Sequence, residues 1–186
     1  MSLYDDSIKY WDSLKLIPIR ESNLHFTDYV DLLAKEYCNG TVIFKWFQIV
    51  DGFRSNEFEN AQLFGYLPWR ILSHIDVHGE FKIEILKGFD VKNVLSPLHS
   101  YDLPGLLGQW LLHGGAYSKT RTGMQYYTKA LDAVLDISGG DATNLDIWFG
   151  NTPWSTIHYD VAWDITLIAR RKSDGKLLIL IGGDTD

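Results

Sequence analysis

Apolar residues recur at helical spacing in several parts of the chain. A stripe that ends before Pro18 predicts a first helix, and a second helix is predicted from Thr27 to the Asn39-Gly40 pair. Pro68 favours a short helix after it, and a further helix is predicted over 103–113. The last helix is predicted over 122–137, and its apolar stripe consists of Met124, Tyr127, Leu131, Val134 and Leu135.

Other segments carry the patterns of strands. Thr41–Val50 is largely apolar on both alternating faces, which predicts an interior strand. Glu80–Lys87 alternates strictly and predicts a half-exposed strand. The sequence Lys172-Ser173-Asp174-Gly175 predicts a hairpin turn, because its glycine tolerates the positive φ that such turns need. The three strands predicted near the carboxyl end are Leu145–Phe149, Ala162–Arg171 and Lys176–Ile181.

The order of these elements predicts the fold class. Helices and strands do not alternate regularly enough for a doubly wound parallel sheet. We therefore predict an α+β fold in a single domain spanning residues 1–186, with amphipathic helices packed on a mostly antiparallel sheet that ends in a β-meander. No internal repeat or linker marks a domain boundary.

The negative net charge of the chain indicates which kinds of molecule it can bind. A formal net charge of −7 disfavours nucleic acid and favours a basic protein. The single cysteine, Cys38, cannot form an internal disulfide, and no signal peptide opens the sequence, so we predict a cytoplasmic location. No apolar run approaches the roughly 20 residues of a membrane span. The expected partner is thus another protein, with neither membrane nor nucleic acid.

A segment rich in acidic and aromatic residues is the first candidate site. Ser138–Ala169 contains no lysine or arginine, and aromatic side chains with carboxylates beside them are typical of protein-binding surfaces. The alternative is that the tryptophans pack in the core and the aspartates cap turns. The residues expected to contact a partner are Asp146, Trp154, Tyr159, Asp160 and Asp164.

These features favour a non-catalytic protein-binding module that neutralises a basic partner. In acidity and clustered aromatic residues the chain is similar to the small acidic immunity proteins that protect bacteria from toxins, and no motif adds to that comparison. A homo-oligomer that uses the same patch on itself is a further alternative. No cofactor and no metal ion are expected.

An enzyme acting on an anionic small molecule is the rival function. The loop from His113 to Arg121 places Lys119 and Arg121 beside glycines and just before a helix, a setting that suits an anion, although Walker spacing is absent. His158 is a candidate general base, but no activated nucleophile is evident from the sequence. His74 and His78 have the spacing of zinc ligands on a helix, yet their segment is typical of a turn.

Overall fold

The computed structural model describes residues 15–37, 39–50, 68–87, 94–114, 123–158 and 163–184. These residues contain six strands, which pair only antiparallel and form one open sheet in the order first, second, sixth, fifth, fourth, third. The α+β fold with helices on a mostly antiparallel sheet is thereby confirmed. The strands are β1 (Lys15–Ile19), β2 (Thr41–Val50), β3 (Ser96–Leu98), β4 (Leu145–Gly150), β5 (Ile165–Arg171) and β6 (Lys176–Gly183).

Strands β5 and β6 form the centre of the sheet, and both of their faces are covered. Every residue of β5 is buried, and alternate residues of β6 point to opposite layers of the core. The turn 172–175 joins the two strands, as the sequence predicts, and β4 continues the predicted meander. β2 pairs with β1 on one side and β6 on the other, so its assignment as an interior strand is confirmed.

Helices cover the two faces of the sheet. One face carries α1, α4 and α5 together with the larger cluster of buried apolar residues, and the other carries α2 and α3 with the second cluster. None of the described helices is long and apolar enough to cross a membrane. The helices are α1 (Leu24–Glu36), α2 (68–72), α3 (Ile75–Phe81), α4 (Leu103–His113) and α5 (Met124–Ser138).

The start of α1 is held by a side chain that lies far away in the sequence. A carboxylate oxygen of Asp136, near the end of α5, accepts a hydrogen bond from the backbone N–H of Phe26 at 3.1 Å, and Asn23 donates to the Asp136 carbonyl at 3.1 Å. Thr27, predicted as the N-cap, instead donates from within the helix to the carbonyl of Asn23. The N-cap is therefore Asn23, four residues before Thr27, and a tertiary contact satisfies one of the first N–H groups of the helix.

Three sequence predictions need correction or lie outside the described residues. Lys15–Ile19 is a strand paired with β2, so the first predicted helix does not extend to Pro18. Residues 1–14 and Cys38 lie outside the described part of the chain. Glu80–Lys87 is not a strand: α3 ends at Phe81 and Lys82 adopts a left-handed conformation with φ of 54°. The alternating burial of that segment persists because it lies along the core without joining the sheet.

Both edges of the sheet are short and carry proline. β1 has five residues and contains Pro18, and β3 has three and contains Pro97. Proline has no N–H to donate and is typical of edge strands that resist pairing with another chain. The sheet edges are therefore poor places for a partner to add a strand.

Candidate functional site

The predicted acidic and aromatic surface is largely interior. Trp154 and Asp164 are each 0% exposed, so the expectation that they contact a partner is wrong. The indole N–H of Trp154 donates to the hydroxyl of Thr166 at 2.8 Å, which allows this large amphipathic ring to be buried without an unsatisfied donor. The alternative that the tryptophans pack in the core describes Trp154 correctly, and Trp148 is buried as well.

The other predicted contact residues do not supply a free surface within the described part of the chain. Asp146 lies on β4 opposite Arg170 of β5, and its carboxylate approaches the guanidinium at 3.4 Å. Burial raises the pKa of Asp146, and the positive charges of Arg170 and Lys172 partly offset that effect. Tyr159 and Asp160 lie outside the described residues. Asp146 is thus half-buried and paired inside the protein.

His158 forms the centre of a buried polar node, which we define as Trp154, Ser155, His158 and Thr166. The backbone N–H of Ser155 donates to Nδ1 of His158 at 3.3 Å, and the Ser155 hydroxyl lies 2.9 Å from the same nitrogen. Nδ1 is therefore an acceptor, which leaves Nε2 to carry the hydrogen and face the Thr166 hydroxyl at 3.3 Å. Burial lowers the pKa of His158, against an opposing effect of the Asp164 carboxylate, so the ring is neutral at pH 7.

The node contains a serine and a histidine within hydrogen-bonding distance, and both side chains are buried. Ser155 is 0% exposed and His158 is 6% exposed, so neither side chain is presented to solvent as a nucleophile or base would be. Both ring nitrogens of His158 are used within the fold. Sequence reasoning missed Ser155 as the partner of His158, although a spacing of three residues is the signal that a turn brings them together. The node holds the segment around Trp154 against β5.

The chain approaches itself closely beside this node. A Cβ at Gly183 would lie 2.7 Å from the Ile157 carbonyl oxygen, and one at Gly40 would overlap the backbone of Gly183. Asp184, just after the end of β6, is 0% exposed and accepts a hydrogen bond from the backbone N–H of Asn39 at 2.9 Å. The end of β6 is therefore enclosed, and it is not available as an acidic contact.

The geometry of the described residues does not support the predicted anion-binding loop or the predicted pair of zinc-binding histidines. His113 is exposed at the end of α4, and Lys119 and Arg121 lie outside the described residues, so their convergence stays a prediction. His74 and His78 lie at a helix and not in the predicted turn: His74 caps α3, and His78 donates to the Leu72 carbonyl. No group of three or more potential metal ligands occurs among the residues that the structure describes.

An exposed apolar stripe on α5 is the surface that sequence reasoning missed. It consists of Met124, Tyr127, Leu131 and Leu135, which we call the α5 ridge. Met124 is 78% exposed, Tyr127 46% and Leu135 39%, and Leu131 is half-buried. At the helical repeat the four lie within an arc of about 80°. Of the five apolar residues from which this helix was predicted, only Val134 is buried.

The buried face of α5 combines large and small side chains, and its large members are Tyr126, Val134 and Ile137. The buried face includes Ala130 and Ala133, which let neighbouring helices approach closely. A Cβ at Gly108 of α4 would lie 3.5 Å from the Cα of Tyr127, so the backbones of α4 and α5 are adjacent at this point. Burying one large apolar side chain is worth about 1.5–3 kcal/mol, so leaving the α5 ridge exposed forgoes a considerable stabilisation. Such a contiguous stripe is typical of an interaction surface.

The remaining exposed apolar side chains are more scattered. Ile75 is 80% exposed at the start of α3, on the other layer of the fold, and Tyr101 is 67% exposed and stacks on His99. Single exposed apolar residues are normal in folded proteins and need no function. Comparison of the chain with protein-family models, curated proteins and solved structures found no match.

Proposed function

We propose that this chain is a non-catalytic protein-binding module whose contact surface is the α5 ridge. The observation that carries the proposal is the exposure of Met124, Tyr127 and Leu135 together on a helix that packs against the core through a different face. Stripes of this kind are recognised by a helix or groove of a partner that buries them. The proline-containing sheet edges support a helical surface over strand addition.

The buried node supports the non-catalytic part of the proposal. Its serine and histidine are enclosed, and no described cluster supplies a nucleophile, a base and access for substrate together. An enzyme that holds an anion through His113, Lys119 and Arg121 stays an untested alternative. The cytoplasmic location also stays a prediction.

A basic partner, neutralised in the manner of the small acidic immunity proteins, is a prediction that rests on the net charge of −7. Long-range attraction of that kind weakens as salt rises, because the Debye length falls to about 8 Å at physiological ionic strength. The salt dependence of binding therefore separates charge-driven recognition from apolar contact at the α5 ridge.

Affinity capture with matched variants tests the proposed function. We expect Met124→Ser with Leu135→Ser to lose proteins that the wild type retains from extracts of the native cell. The control is Ile75→Ser, which removes an equally exposed apolar side chain from the opposite layer. It is expected to retain them. If the ridge variant and the control captured the same proteins as the wild type at low and high salt, the α5 ridge would not be the contact surface.

A further inference from the structure

The segment 154–158, which we call the strap, is fastened to β5 by side chains. The indole N–H of Trp154 donates to the Thr166 hydroxyl at 2.8 Å, and Nε2 of His158 lies 3.3 Å from the same oxygen and 3.4 Å from the Ile165 carbonyl oxygen. The backbone of β5 meanwhile pairs with β4 on one side and with β6 on the other. The strap can therefore leave β5 without breaking any strand pair of the sheet.

The backbone of the strap pairs with a second segment that does not belong to the six-stranded sheet. The backbone N–H of Leu86 donates to the Trp154 carbonyl, and that of Thr156 donates to the Glu84 carbonyl, each at 3.0 Å. An isolated bridge joins the two segments between these hydrogen bonds. The two N–H groups are protected while the strap is in place, so their exchange with solvent reports its release.

His158 holds the strap in its folded shape. Its backbone N–H donates to the Ser155 carbonyl at 3.0 Å, and its Nδ1 accepts the backbone N–H of Ser155 at 3.3 Å. A backbone N–H can only donate, so a proton on Nδ1 sets two donors against each other. The Ser155 hydroxyl, 2.9 Å away, can turn to accept from a protonated Nδ1, but the backbone N–H then has no acceptor. Protonation of the ring therefore opposes the closed strap.

The charges around His158 act in both directions. Burial lowers the pKa of this histidine, and the Asp164 carboxylate opposes that effect. Asp184 and Tyr37 lie beyond Asp164, since burial and then these two carboxylates raise the pKa of Tyr37. Glu84, on the paired segment, is exposed. Because the effect of burial is the larger one, the closed strap favours neutral His158 and the released strap favours the charged ring.

We propose that the strap is a pH-sensitive latch, in which uptake of a proton by His158 releases residues 154–158 and exposes Trp154 while the six strands stay paired. Histidine is the side chain whose charge ordinarily changes in mild acid. Trp154 packs in the second core cluster, whereas α5 packs on the first, so the latch is separate from the α5 ridge. Trp154, which the sequence predicts as a partner contact, is thus enclosed at neutral pH and becomes accessible in mild acid.

Amide hydrogen exchange of the purified full chain, followed by NMR from about pH 7.5 to about pH 5, tests the latch. The strap probes are the backbone N–H groups of Leu86 and Thr156, and the amides of β5 and β6 are the reference for global unfolding. After correction for intrinsic exchange, the strap probes are expected to open more readily than the reference. Below pH 6.5 their opening constant is expected to rise by up to about tenfold per pH unit, because the released strap binds one more proton. Exchange of the Trp154 indole N–H is expected to follow them.

Two variants assign the pH dependence to one histidine. His158→Asn cannot take up a proton, so its strap probes are expected to open equally at every pH in this range. His25→Asn, which removes an exposed histidine from α1, should behave as the wild type. Equal opening constants for the strap and reference probes of the wild type overturn the inference, because the strap then opens only with the whole fold. So does a wild-type strap whose opening constant stays flat below pH 6.5, or a His158→Asn strap that keeps the pH dependence. The wild-type comparison of strap and reference probes decides the point even where His158→Asn folds poorly.

Discussion

Replacing Trp154 by alanine is expected to lower the free energy of unfolding by about 3–5 kcal/mol. The side chain is fully buried against the second core cluster, and its N–H is satisfied by Thr166 at 2.8 Å. Removing it leaves a cavity that the central sheet cannot easily fill, and it also removes the hydrogen bond to Thr166. Urea unfolding followed by circular dichroism measures the change.

The matched control for Trp154→Ala is Met124→Ala, which shortens a side chain that is 78% exposed. It is expected to change the free energy of unfolding by less than about 0.5 kcal/mol. A loss below about 1 kcal/mol for Trp154→Ala would mean that this residue is not in the core. Trp154 would then be available to contact a partner, as the sequence predicts.

Replacing His158 by alanine is expected to cost about 2–3 kcal/mol at neutral pH, because buried groups of Ser155 and Thr166 lose their partner. His158→Asn is the gentler variant, since its side-chain oxygen retains an acceptor near Ser155 and cannot be protonated. If both variants were as stable as the wild type, the hydrogen bonds of the node would contribute nothing to folding.

The same histidine makes stability depend on pH in a defined direction. Burial lowers the pKa of His158 in the folded protein below its ordinary value of 6.5, so the unfolded chain binds the proton more readily. The contribution of neutral His158 is complete above pH 6.5 and is lost as pH falls from there through the lowered folded value. We expect the unfolding free energy of the wild type to fall more steeply than that of His158→Asn over this range. Equal slopes would contradict the assignment.

Elements with strong local signals could be predicted from the sequence. The largely apolar run Thr41–Val50 is an interior strand, and the turn ending in Gly175 joins the last two strands. In both cases the local preference agrees with the tertiary environment. Gly175 indeed has a φ of 71°, which is the left-handed conformation that its position requires.

Elements that depend on distant contacts could not be predicted. The start of α1 depends on Asp136, more than one hundred residues away, and β1 forms because Lys15–Ile19 pairs with β2. The segment Glu80–Lys87 alternates as a strand would, yet only Ile85 forms a bridge, with Ser155. Periodicity reports which side chains are buried and does not report whether the backbone joins a sheet.

The candidate site shows the same limit. The sequence cannot distinguish a tryptophan that packs inside, as Trp154 does, from one that faces a partner. On α5 the predicted apolar stripe included Met124, Tyr127 and Leu135, which are exposed. The buried face instead uses Tyr126 and Ile137, which lie outside that stripe, together with Ala130 and Ala133. Alanine contributes little to an apolar pattern but allows close helix packing.

The most direct test of the central claim is hydroxyl-radical footprinting at low protein concentration, with each residue's rate normalised to that in the denatured chain. The account predicts rapid modification of Met124 and Tyr127 in the folded protein and strong protection of Trp154. That result would place the accessible apolar surface on α5. Modification of Trp154 as fast as Met124, or protection of Met124 and Tyr127, would contradict it.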